Sequence, residues 1–168
     1  IERQEVAVGK LLSSASIDWD EDGNPVSIDF SPTCTDQDLE DLGLFDTVRQ
    51  VNLAYCFLIS DNAIEHLTKM PNLQILYLYR NNPREPNDFI NEYDLTTQPI
   101  ITDKSLESIA RIKSLQEVNL WDNEFSDEGI LQLRSLPNLR VLGFRSRLIS
   151  EAAIDELKQA LPNTQIQN

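Results

Sequence analysis

The group of residues whose types and spacing come nearest to a known chemistry is DWDEDGNPVSID, residues 18–29. There Asp18, Asp20, Asp22, Gly23 and Asp29 hold positions 1, 3, 5, 6 and 12 of a calcium-binding loop. Carboxylate oxygens at that spacing suit the hard Ca²⁺ ion, and the glycine suits the sharp turn between them. Three features weigh against a metal. Asp29 stands where a bidentate Glu is needed, Pro25 stands where that loop has an apolar strand residue, and neither flank reads as a calcium-loop helix. The expected form is a hairpin turn in which Gly23 supplies positive φ and the acids face water. No metal and no cofactor are assigned.

The remaining reactive side chains are few. Cys34 and Cys56 are too few for a disulfide-stapled scaffold and lack the CxxC or Cys/His spacing of a zinc site. His66 is the single histidine, one residue before an apolar helix position and on the exposed side of that helix. No Ser, Cys or carboxylate near it forms a nucleophile–base pair, so the sequence predicts a protein that is not an enzyme.

Composition narrows the partners. The chain has 168 residues, 40% apolar and 25% charged, with a formal net charge of −14. Nucleic acid and anionic lipid need clustered Lys and Arg, so neither is expected to bind, and no apolar run approaches the 18 or so residues of a membrane span. Residues 1–50 hold 12 acids against Arg3, Lys10 and Arg49, so the acidity belongs mainly to the N-terminal end. The chain opens at Ile1 without an initiator Met, as a processed product or a segment of a longer chain would.

The elements that position these residues follow from periodicity. Ile1, Val8, Leu11, Leu12 and Ala15 share one helical face, which predicts a helix from about Glu2 to Leu12. Ile17 and Trp19 alternate with acids, EDGN makes a turn, and Val26, Ile28 and Phe30 alternate again as the second strand of a hairpin. Beyond it a Ser or Thr followed by an acid recurs as Thr35-Asp36, Ser60-Asp61, Thr102-Asp103, Ser126-Asp127 and Ser150-Glu151, each an N-cap with a first-turn acid. Four residues after each anchor stand Leu39, Ile64, Leu106, Ile130 and Ile154, and seven after stand Leu42, Leu67, Ile109, Leu133 and Leu157. These are the buried faces of five helices. Strand residues Val51, Leu76, Val118, Leu142 and Ile166 follow at plus sixteen. Anchor spacings of 25, 42, 24 and 24 residues reveal repeats with one insertion of about 18 residues, near 82–100.

The segments VRQVNLAYCF, LQILYLYRNN, LQEVNLWDN and LRVLGFRSR resemble the LxxLxL stretch of leucine-rich repeats. ISDNAIEHL, ITDKSLESI, FSDEGILQL and ISEAAIDEL resemble the helical halves of the ribonuclease-inhibitor-like and cysteine-containing subfamilies, and LKQALPNTQI is similar to the end of many bacterial members. The resemblance covers about residues 26–168. It implies an α/β right-handed solenoid with a parallel sheet on the concave side and helices on the convex side. Five repeats and a C-terminal cap would make up 26–168, with residues 1–25 as the N-terminal cap. The Asn of the family pattern is present as Asn81 and Asn123 but replaced by Thr33, Cys56 and Arg147. Cys56 stands where the cysteine-containing subfamily has Cys, and with Cys34 it forms either a disulfide or two buried thiols.

Family members bind unrelated partners, so the resemblance implies fold more than function. Alternation in such strands sends the residues between and just after the core leucines to the concave surface. One row is then Asp29, Asn52, Tyr77, Asn119 and Gly143; the next is Ser31, Ala54, Tyr79, Trp121 and Arg145; a third holds Tyr55, Arg80 and Asp122. Tyr55, Tyr77, Tyr79, Arg80, Asn119, Trp121, Asp122 and Arg145 are the candidate partner-binding residues, because core packing does not account for them and such types dominate interfaces. A monomeric module binding a protein or peptide is expected. A glycan or small ligand stacked on the aromatics and a purely structural segment of a larger chain are the alternatives. Phe89 and Tyr93 of the insertion could cover the same patch.

Overall fold

The computed structural model describes residues 2–79, 81 and 101–168, with side chains from Gln4 onward. The expected insertion at 82–100, with Phe89 and Tyr93, and the candidate Arg80 lie outside the described residues. Helix α1 (Glu2–Leu11) leads into the hairpin of β1 (Ala15–Trp19) and β2 (Pro25–Phe30). The array continues with β3 (Gln50–Asn52), α2 (Asp61–Leu67), β4 (Ile75–Tyr77) and α3 (Asp103–Ile109). Then come β5 (Glu117–Trp121), α4 (Asp127–Leu131), β6 (Val141–Arg145), α5 (Glu151–Ala160) and β7 (Gln165–Gln167).

The seven strands form one sheet in chain order, β1 antiparallel to β2 and every later pair parallel. Strand order without crossovers means that each unit packs on its immediate neighbours, as in a solenoid. Ile28, Val51, Leu76, Val118 and Leu142 stand in register and are fully buried, facing Ile64, Leu67, Leu106, Ile109, Ile130 and Leu133 of the helical side. One continuous apolar cluster results. Among the described residues no helix is long and apolar enough to cross a membrane.

The recurring acid does more than cap its own helix. Asp36 accepts the backbone N–H of Ser60 at 2.7 Å and its hydroxyl at 2.5 Å. Asp61 binds Thr102 in the same way at 2.8 and 2.7 Å, Asp103 binds Ser126 at 3.0 and 2.5 Å, and Asp127 binds Ser150 at 2.7 and 2.7 Å. Each acid therefore holds the N-cap residue of the following unit. On the other edge Asn81 donates to Leu53 O at 2.6 Å and Cys56 O at 3.1 Å, while Asn123 accepts the Asn81 N–H at 2.9 Å and donates to Leu78 O at 2.5 Å. Cys56, in place of an asparagine, sends its thiol to Ser31 O at 3.4 Å.

Three expectations change in detail. The first repeat has no α-helix: Asp36–Leu39 and Leu42–Leu44 are 3₁₀ turns, although Leu39 and Leu42 are buried as expected. Asp36 and Glu40 are like charges four apart, Glu40 and Asp41 oppose the helix dipole, and Gly43 lowers propensity further. Of the expected face, Leu11 is buried and Val8 and Ala15 pack partly against the core, with Ala7 buried beside them, whereas Leu12 is 61% exposed; helix α1 ends at Leu11, before Leu12 could complete its face. Gln4 donates to Leu44 O and Lys10 pairs with Asp41, so α1 lies on those 3₁₀ turns. Finally, β1 joins the sheet as a seventh strand beyond the six parallel ones.

Candidate interaction surface

The hairpin turn explains the acids that had calcium spacing. Asp20 accepts the N–H of Asp22 at 3.0 Å and of Asn24 at 2.8 Å, and Gly23 has φ +79°. These bonds, that from the Asn24 backbone first, hold the Asp20 carboxyl below the usual range. Asp29 lies away from the turn, paired with Ser16 and Asn52 in the sheet. Among the described residues no group of three or more His, Cys, Asp or Glu could hold a metal ion. Cys34 and Cys56 are free and fully buried. The neighbouring Cys34 thiol first, then burial, push the Cys56 thiol far up, so Cys56 serves as an inert filler of the core.

The sheet face opposite the leucines is built by register. Asp29, Asn52, Tyr77, Asn119 and Gly143 form one row of paired residues, and Gln167 extends it. Tyr77 is half-buried, and burial first, then the neighbouring Glu117 and Asp29 carboxylates, raise its phenol above the ordinary value. Asn119 turns its Oδ1 back to the Trp121 N–H at 3.2 Å, as Asn52 does to Ala54 at 3.0 Å, so both stiffen the strand ends.

The candidate aromatics divide into two groups. Tyr55, 37% exposed, meets Tyr79 edge to face at 5.1 Å and Phe57 at 6.3 Å. Its backbone is left-handed, φ +64°, unusual for a bulky residue. Trp121 forms the second group. It is paired with Arg145 across β5 and β6, and the guanidinium carbon lies 5.4 Å from its ring centroid. Arg145 also donates to Asp122 Oδ1 at 3.0 and 2.6 Å, and Asp122 too is left-handed, φ +59°. The indole leans on Gly143: a Cβ built there would stand 2.7 Å from Trp121 Nε1, which is buried and has no hydrogen-bond partner. Tyr79 therefore meets Tyr55, and Trp121 meets Arg145.

A further row was missed in the sequence: Ser27, Gln50, Ile75, Glu117, Val141 and Gln165, two residues before the first row in every strand. The same alternation that identified the others would have found it. Ser16 and Asp18 of β1, paired with Asp29 and Ser27, extend the face to the sheet edge.

No protein-family model and no curated protein matches the chain. Among solved structures, the tropomodulin C-terminal domain of Caenorhabditis elegans is similar, with a TM-score of 0.56 at 16% identity over 95% of this chain and 91% of that one. Internalin C2 of Listeria monocytogenes is similar with a TM-score of 0.53 at 21% identity, over 76% of this chain and 44% of its own, so the chain spans less than half of that structure. A leucine-rich-repeat protein of Leptospira interrogans aligns over 77% of this chain and 33% of its own at 17% identity and a TM-score of 0.41. The likeness at these identities is one of fold, and the chain has the α/β solenoid fold of leucine-rich-repeat proteins.

Proposed function

We propose that the chain is a non-catalytic interaction module that holds a protein or peptide against the concave face of its sheet. One observation carries the reading: Tyr77, Tyr79 and Trp121 stand half-buried on neighbouring strands β4 and β5 or directly after them, on the face away from the leucine core. Rings that served only the core would be sealed inside it, and Tyr, Trp and Arg are the types that most often anchor interfaces. Tyr55 adds a partly exposed ring on a backbone that costs about 1–3 kcal/mol to hold.

Protein is favoured over glycan because Arg145 already covers one face of Trp121 and Gly143 its Nε1 edge, which leaves less ring for a sugar to stack on. The test is a partner captured from the native source and then measured against a Tyr79→Ala, Trp121→Ala double variant. Loss of at least about tenfold in affinity, with circular dichroism unchanged, is expected. Unchanged affinity in the folded variant moves the site off this face.

A further inference from the structure

Three acids on the concave face, spread from β1 to β5, are without an ion-pair partner among the described residues. Asp18 lies on β1, Asp29 on β2 and Glu117 on β5, all on the side facing away from the core. The basic side chain within the paired rows of this face is Arg145, and it is engaged by Asp122 and Trp121. Between the acids lies Tyr77, half-buried on β4 and paired with Asn52 and Asn119. Ser27, 8% exposed in the row between Asp18 and Gln50, has a buried hydroxyl with no partner.

The spacing of these acids selects among cationic partners. Asp29 and Glu117 are three strand steps apart across the sheet, about 14 Å at about 4.8 Å per step, and two residues apart along it, about 7 Å, so roughly 16 Å in all and too far for one metal ion to bridge. Extended chain rises about 3.4 Å per residue, so residues i and i+4 of an extended segment lie about 14 Å apart and point the same way, and the length of two Lys or Arg side chains covers the remaining reach to both acids. We propose that the partner lays an extended segment across strands β2 to β5, with two basic side chains about four residues apart, one at Asp29 and one at Glu117. The inference rests on the concave-face reading above and adds the chemistry of the partner. The net charge of −14 steers such a segment toward the face.

Random seven-residue peptides displayed on phage, panned against the intact chain, test this directly. Enrichment of sequences with Lys or Arg at i and i+4 is expected. The recovered peptides, made synthetically, should bind about tenfold more weakly to Asp29→Asn, Glu117→Gln and should weaken steeply between 50 and 500 mM salt. Neutral or acidic peptides that ignore this double variant but lose binding in Tyr79→Ala, Trp121→Ala overturn the basic partner and leave the concave site standing. Peptides indifferent to both variants overturn both readings. Recovery of no sequence above bare support also counts against the basic segment.

Discussion

The carboxylate of Asp103 accepts both polar hydrogens of Ser126, the backbone N–H at 3.0 Å and the hydroxyl at 2.5 Å, and so ties the first turn of α3 to the N-cap of α4. Charge-assisted bonds of this kind contribute more than neutral ones, and their loss strands part-buried donors. Asp103→Ala should cost about 2 kcal/mol in urea unfolding, and Asp103→Asn about half of that because one acceptor oxygen remains. Glu128→Ala, at an exposed position of α4, should stay within about 0.5 kcal/mol. Equal stability of Asp103→Ala and Glu128→Ala would show that the contact between units is incidental.

The last rung of this ladder responds to acid. Asp127 is held below the ordinary carboxylate range by the Ser150 hydroxyl first and its N–H second. Asp38, although burial works in the opposite sense, is also held low, by Thr35 and Ser14. A folded pKa below the unfolded value of about 3.9 contributes stability that is complete above that value and is lost as pH falls through the folded one. Thermal melts of Asp127→Asn should therefore lie below wild type at pH 6, and the gap should close as pH falls below the ordinary carboxylate value of about 3.9. A gap of the same size at pH 2.5 would mean that the carboxylate charge is not what Ser150 uses.

How much of this was readable beforehand depends on range. The row Asp29, Asn52, Tyr77, Asn119 and Gly143 follows from alternation along each strand and a constant repeat length, both local properties, and the observed pairing matches it. The anchors were legible as caps, but the acid's bond to the next unit joins residues 23 to 41 positions apart and depends on how successive units are offset. Glu117 carried no signal of its own, because a charged residue suits any solvated strand position, although it lies two residues before Asn119 on the same face. The partners of the rings, Tyr55 with Tyr79 and Trp121 with Arg145, depend on side-chain rotamers that a pattern of types does not contain.

Leu11 and Leu12 separate packing from pattern. Leu11 is 2% exposed and Leu12 is 61% exposed, although both are leucines at the end of α1. Leu11→Ala should cost about 2–3 kcal/mol, and Leu12→Ala should stay within about 0.5 kcal/mol. If the helix and hairpin of residues 1–25 cap the solenoid, Leu11→Ala should also expose hydrophobic surface, read as a rise in dye binding. A Leu11→Ala protein as stable as Leu12→Ala would leave α1 dispensable.

Gly143 and Trp121 supply the last test, because here one missing carbon sets the shape of the candidate site. A Cβ at residue 143 would stand 2.7 Å from Trp121 Nε1 and 3.0 Å from Cδ1, closer than side chains tolerate, so the indole must swing off the sheet. The backbone itself gains from the change, since Gly in a strand is about 0.5–1 kcal/mol less favourable than Ala. The displaced ring has a surface side to move toward, because Trp121 is only half-buried. Gly143→Ala should therefore keep the fold and most of the stability while breaking the contact between Trp121 and Arg145. In a Trp19→Phe background, which leaves Trp121 as the one fluorophore of its kind, the emission should shift to longer wavelength. Affinity for a concave-face partner should fall by about tenfold, as for loss of an aromatic anchor. If emission and affinity both stay where they were, the indole does not lean on Gly143 and the anchor has to be sought at Tyr55 and Tyr79.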